Sequence, residues 1–319
     1  MTLSSLLHSF MSLHRNHVCF LHQTIKTLCT GLLLAGFSIT VTVPVSAQKP
    51  KQNTIGSDTA IQLKLGRELR PFDEYLVKAM NIRISRYALL HGNREETVQA
   101  DTVRSTFAGT VTVNNVTEDG QEAVKTVVVR NAETRYQGQN TTIVATGTTI
   151  KAFYSDTGYV YTVNDDTLAA AVTADLVGLL RSEGGLKTGV IMNPPKPVRV
   201  GDSWHINADA FAATLGSPPK NKKRIVTGKA TFKKVDVLHD IPVAVVSMKA
   251  SVTNAVDSLE GMPVENATIE ATLDIAVPID ERYPTVWVAS NTHFAATVGK
   301  APQQMRISYT VADEFDFQR

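Results

Sequence analysis

Residues 266–277 read N-A-T-I-E-A-T-L-D-I-A-V. Ala267, Ile269, Ala271, Leu273, Ile275 and Val277 fall on one side; Asn266, Thr268, Glu270, Thr272 and Asp274 fall on the other. Strict period-two alternation over this length fits no helix. It is the pattern of an antiparallel sheet with one dry and one wet face. Neighbouring segments repeat it. Val286, Val288, Phe294, Ala296 and Val298 form an apolar stripe, as do Met305, Ile307, Tyr309 and Val311. In Arg224 to Lys233 the stripe is Val226, Ala230 and Phe232, and the Lys233-Lys234 pair breaks the alternation, as a bulge would. With Val243 to Val252, the second half reads as a meander of about five long strands.

The first half has the same character. Strand candidates are 61–65, 78–89, 103–116, 122–130, 142–146 and 160–163. The spacing of Leu168, Val172, Leu176, Leu179 and Leu180 predicts one helix over 167–182, capped by Asp166-Thr167 and stopped by Gly184-Gly185. A shorter helix is expected over 209–215. Gly109-Thr-Val-Thr-Val-Asn-Asn-Val116 resembles Gly228-Lys-Ala-Thr-Phe-Lys-Lys-Val235, and Leu63-Lys-Leu-Gly66 resembles Val198-Arg-Val-Gly201, which suggests an internal duplication.

The first 47 residues differ from the rest. Arg15 and Lys26 precede an apolar run, Leu28 to Val45, that ends in Val45-Ser46-Ala47. This is the pattern of a secretory signal peptide, so export to the periplasm or outside the cell is expected. Both cysteines, Cys19 and Cys29, lie in that segment, so the chain from Gln48 onward is cysteine-free. Thiol chemistry and cysteine-ligated metal are thereby excluded from it. Without Arg15 and Lys26 the 32 basic residues become 30, matching the 30 acidic ones. A neutral chain offers no global field for nucleic acid. The expected organisation is a signal peptide (1–47), a polar leader (48–57), a first β-rich half (58–195) and a second β half (196–319).

Gly201-Asp202-Ser203, followed by Asp236-x-x-His239, resembles the motifs of a family of serine esterases. That family implies Ser203 as nucleophile and Asp236 and His239 as its partners. The chain departs from it: Trp204 stands where leucine is preferred, no Gly-x-Asn-Asp block follows, and strands do not alternate with helices. The residue-level reading is a turn, Gly201-Asp202, with Trp204 as a core anchor and no catalytic residue. His91, His205, His239 and His293 lack ligand spacing, so no metal and no cofactor are expected. Lys220, Lys222, Lys223 and Arg224 form a basic loop. Trp287, Asn291 and His293 share the face opposite the apolar stripe and are the candidate ligand-binding residues.

The segment Pro197-Val-Arg-Val-Gly-Asp-Ser-Trp204 resembles one that opens the second half of a group of secreted bacterial proteins with no assigned activity. Such proteins are in turn similar to the lipoprotein carriers of the periplasm. That likeness implies curved antiparallel half-barrels whose concave apolar face holds acyl chains, and carries no functional residue over. The expectation is therefore a mainly β (α+β) protein: two related curved sheets or half-barrels with one packed amphipathic helix. It would be non-catalytic and bind a lipid or other apolar small molecule, with no membrane-spanning segment after signal cleavage. The alternative is an envelope scaffold or a protein/polysaccharide interaction module.

Overall fold

The computed structural model describes residues 59–318 apart from 67–68, 92–93, 119–121, 156–157, 181–185, 221, 260, 282, 284 and 301–302. The expected signal peptide and leader, and Gly184-Gly185, lie outside the described residues. Fourteen strands are described: β1 (Glu74–His91), β2 (Arg94–Val116), β3 (Glu122–Tyr136), β4 (Gln139–Thr142), β5 (Thr149–Ser155), β6 (Gly158–Val163), β7 (Asp166–Thr167), β8 (Ser203–His205), β9 (Ile225–Leu238), β10 (Ile241–Thr253), β11 (Ser258–Leu259), β12 (Met262–Pro278), β13 (Trp287–Lys300) and β14 (Gln303–Gln318). They form one antiparallel sheet in the order β7-β6-β5-β3-β2-β1-β14-β13-β12-β10-β9-β8, with β4 on β3 and β11 on β12. The sheet does not close, and the protein is mainly β and half-barrel-like. The two halves are not separate sheets, however. β1 pairs with β14 from Leu76↔Gln318 to Leu90↔Gln304 and fuses them. The apolar stripe of β14 looks finished at Val311 because Asp313 interrupts it, yet Phe315 and Phe317 continue the same face and are buried.

One face of the sheet, here called inner, carries two cores. The C-terminal core runs from Ala230 and Phe232 through Val246, Leu273 and Phe294 to Ile307 and Val311. Trp204 of β8 adds to it from the sheet edge, opposite Ala230, and Leu63, Leu65, Ile191, Met192, Phe211 and Leu215 fill it from the other side. The N-terminal core joins Val77, Phe107, Val127, Ile150, Phe315 and Phe317 to Leu176, Leu179 and Leu180. Short helices and loops supply the cover that a one-faced sheet requires. The bulge expected at Lys233-Lys234 is present: the β9–β10 register shifts between Val245 and Val246.

The helices are α1 (Ala170–Leu179), α2 (Leu186–Met192) and α3 (Ala208–Ala213). The helix expected over 167–182 is shorter at its start. Asp166 and Thr167 do not cap it; they form β7 and pair with Val163 and Thr162. Asn164 and Asp165 adopt φ of 51° and 67°, a left-handed turn that such residues tolerate, and the chain turns back before it can coil. Asn207 caps α3, its Oδ1 accepting from Ala210 N at 3.1 Å. Residues 61–65 form no strand, only an isolated bridge, Ile61↔Val198. The strand expected over 142–146 lies earlier, as β4, and β5 has no counterpart among the sequence-based expectations.

The topology places the two similar glycine segments in equivalent strands. Read across the sheet, β7 to β1 and then β14 to β8 run in the same sense, so β2 corresponds to β9 and β3 to β10. Both glycines press on the neighbouring strand. A Cβ on Gly109 would lie 2.8 Å from the Val128 carbonyl; one on Gly228 would lie 3.1 Å from the Lys249 carbonyl and 2.5 Å from Ile206 Cδ1. Gly109→Ala and Gly228→Ala should therefore each destabilise the fold by about 1–3 kcal/mol in urea unfolding. An alanine accepted at either position without cost would contradict this packing.

Candidate functional site

Between the two cores the inner face turns polar. One register row crosses five strands as Thr134, Ser105, Asn81, Asp313 and Ser290. Asn81 Nδ2 donates to Asp313 Oδ1 at 2.6 Å, Ser290 Oγ to Asp313 Oδ2 at 3.2 Å, and the Ser105 and Thr134 hydroxyls are 3.0 Å apart. Asn81, Ser105, Ser290 and Asp313 are all buried. Desolvating such groups is costly unless they are bonded, and here they bond to one another.

α1 covers this row. A Cβ on Gly178 would lie 3.5 Å from Asn81 Cγ. Arg83, one inward position along from Asn81, donates from Nη2 to Asp175 Oδ1 of α1 at 2.6 Å, both groups being mostly buried. A second tether holds the helix end. Lys125, fully buried, donates from Nζ to the Leu180 carbonyl at 2.8 Å and to Glu122. Glu122 also accepts from Tyr75 OH, and its carbonyl accepts from Tyr159 OH at 2.8 Å. The Lys125 ammonium lies 4.7 Å from the Tyr159 ring centroid. Burial, and secondarily the Glu122 charge, push the neighbouring Tyr161 phenol well above its ordinary range, so it stays neutral. Among the described residues, Leu176, Leu179 and partly buried neighbours also pack α1 onto the sheet, and no side chain caps its N-terminus.

The motif residues are placed elsewhere. Gly201, at φ 93°, sits in a turn closed by Asp202 N to Arg199 O at 3.0 Å. Asp202 Oδ2 accepts from Arg199 N at 2.8 Å. Trp204 is buried and donates from Nε1 to the Met192 carbonyl at 2.6 Å. Ser203 is exposed, its Oγ 2.9 Å from Thr231 Oγ1. His239 occupies the left-handed β9–β10 turn, eight residues beyond Thr231 along β9 and so ~26 Å from Ser203. Its Nε2 lies 2.6 Å from Asp316 Oδ1, and Asp236 bonds Lys234. The esterase-like residues are not brought together. Within the basic loop, Arg224 is a clamp: it donates to the carbonyls of Ala212, Gly216, Ser217 and Ala255, and burial lowers its pKa.

Trp287, Asn291 and His293 lie on the outer face, as their spacing indicates. Trp287 packs at one end against Val243, Ala276 and Val286 and donates to Glu314 Oε1 at 3.1 Å. Asn291 stands beside Thr272 and Ala312, and exposed His293 meets Thr310 Oγ1 at 2.9 Å. The structure does not bring these three residues to the row beneath α1. No described helix is long and apolar enough to cross a membrane.

Sequence reasoning missed the polar row because β1 hides it. Met80, Ile82 and Ile84 look like the buried stripe of that strand, yet they face outward, Ile84 being exposed, and Asn81 and Arg83 point in. The clue was available in β14, where Asp313 falls in register with Val311 and Phe315.

No protein-family model matches the sequence, and no curated protein does either. Among solved structures, the chain is similar at 8% identity and a TM-score of 0.36 to lipovitellin, described for its lipid–protein interactions, over 79% of this chain and 26% of that one. It is similar at 7% identity and a TM-score of 0.19 to an outer membrane channel from Pseudomonas putida F1, over 79% of this chain and 97% of that one. The chain thus spans about a quarter of lipovitellin.

Proposed function

We propose that the protein is an exported, non-catalytic binder of an apolar or amphipathic ligand, such as a lipid, received on the inner face when α1 moves aside. The observation that carries this reading is the polar row set between two apolar cores and covered by one short, tethered helix. Ligand sites combine apolar walls with a few convergent polar groups, and this face has both. In the closed form its own side chains fill it, so binding requires an open state. The apparent affinity then scales with the fraction of open protein.

Asp175→Asn weakens the Arg83 tether without touching the sheet. It should tighten binding of a fluorescent fatty acid several-fold in a fluorescence titration. Absence of saturable binding in both wild type and variant would sink the proposal.

An interaction or envelope-scaffold role is the second reading, favoured by one feature. Residues 94–102 of β2 pair with β1 on one side, while β3 pairing begins only at Val103, which leaves a strand edge open to a partner.

A further inference from the structure

The outer face carries a second feature, independent of the inner site. His205, Lys229 and Lys249 are direct register neighbours on β8, β9 and β10, and all three are exposed. Directly opposed side chains in an antiparallel pair have Cβ atoms about 5 Å apart, and like charges placed so repel. None of the three makes an ion pair with a described residue. They line a groove of about 530 Å³, together with Thr227, Ser251 and Thr272 hydroxyls and a single carboxylate, Glu270.

The same register row continues across the sheet to Arg104 and Arg135, directly opposed on β2 and β3, and no carboxylate stands anywhere between. Those arginines line a second groove, of about 360 Å³, which also holds a single carboxylate, Asp101. β2 and β3 are the strands equivalent to β9 and β10, so each half presents an opposed cation pair on the same face. Five strand steps separate β10 from β2, ~24 Å along the row. Acidic residues are present on both flanking rows, as Glu270, Asp274 and Glu314, so the acid-free row is not a consequence of composition.

We infer that the Lys229–Lys249 groove is a binding site for a phosphate-class oxyanion. The two ammonium groups would hold its charge, and His205 and the threonine and serine hydroxyls would donate to its oxygens. The Arg104–Arg135 groove is the matching second grip. The phosphate group can belong to a lipid headgroup or to a soluble molecule.

The test uses the full chain at low ionic strength. Inorganic phosphate is titrated by calorimetry into wild type, Lys229→Gln/Lys249→Gln and the exposed control Lys300→Gln. Saturable binding is expected in wild type and the control, weakened at least tenfold in the double variant. The melting temperature of the double variant should not fall, because the repulsion is relieved. A wild type that shows no saturable binding, or a double variant that binds equally well, overturns the site. Co-sedimentation with phosphatidylglycerol vesicles, against phosphatidylcholine vesicles, then separates the sources. Binding lost in the double variant identifies a lipid headgroup; phosphate binding without vesicle binding identifies a soluble phosphate.

Discussion

Trp204→Ala is expected to cost about 3–5 kcal/mol of unfolding free energy, while Ser203→Ala costs no more than about 0.5. The indole fills the C-terminal core between the sheet and the 186–194 segment, and its Nε1 satisfies the Met192 carbonyl. Removing it leaves both a cavity and an unpaired acceptor. Trp204→Phe separates the two: it keeps most of the packing and exposes the cost of the orphaned carbonyl, about 1–3 kcal/mol. Urea unfolding followed by circular dichroism measures all three, and Trp287 remains as a fluorescent reporter in each variant. Equal losses for Ser203→Ala and Trp204→Ala would refute the reading of this segment as a turn with a core anchor. A serine-reactive probe that labels Ser203 would refute the non-catalytic reading.

The second large effect concerns the buried knot at the end of α1. Lys125→Met leaves the buried Glu122 carboxyl without its cation, and breaking one side of such a pair costs about 3–5 kcal/mol. It also releases the Leu180 carbonyl. Lys125→Met/Glu122→Leu removes both charges and should recover a substantial part of that loss. Unfolding midpoints in urea give the comparison; a double variant as unstable as the sum of the singles would show that the two side chains do not act as a pair.

Much of the architecture was legible because alternation is a physical consequence of burying one face. β9, β10, β12, β13 and β14 each show it, and the Lys233-Lys234 interruption marked a real bulge. What the pattern could not convey is how halves join. β1 and β14 meet through positions such as Asn81 and Asp313, where the inner residue is polar, so the local signal is silent or inverted there. The same inversion concealed the candidate site. Its residues come from β1, β2, β3, β13 and β14, and only the register brings them into one row. Gly201-Asp202-Ser203 failed in the opposite direction: a motif that looks chemical proved to be a turn, because the residues that would complete it lie on a distant hairpin.

The central claim is that α1 must leave the inner face for ligand to enter. Gly178 and Asn81 approach closely enough for a bridge, and the native cysteines, Cys19 and Cys29, can both be replaced by serine. In an Asn81→Cys/Gly178→Cys protein, oxidation pins α1 to the sheet and reduction frees it. The account predicts that a fluorescent fatty acid binds the reduced form and is lost from the oxidised form of the same protein. Equal binding by both forms would contradict it.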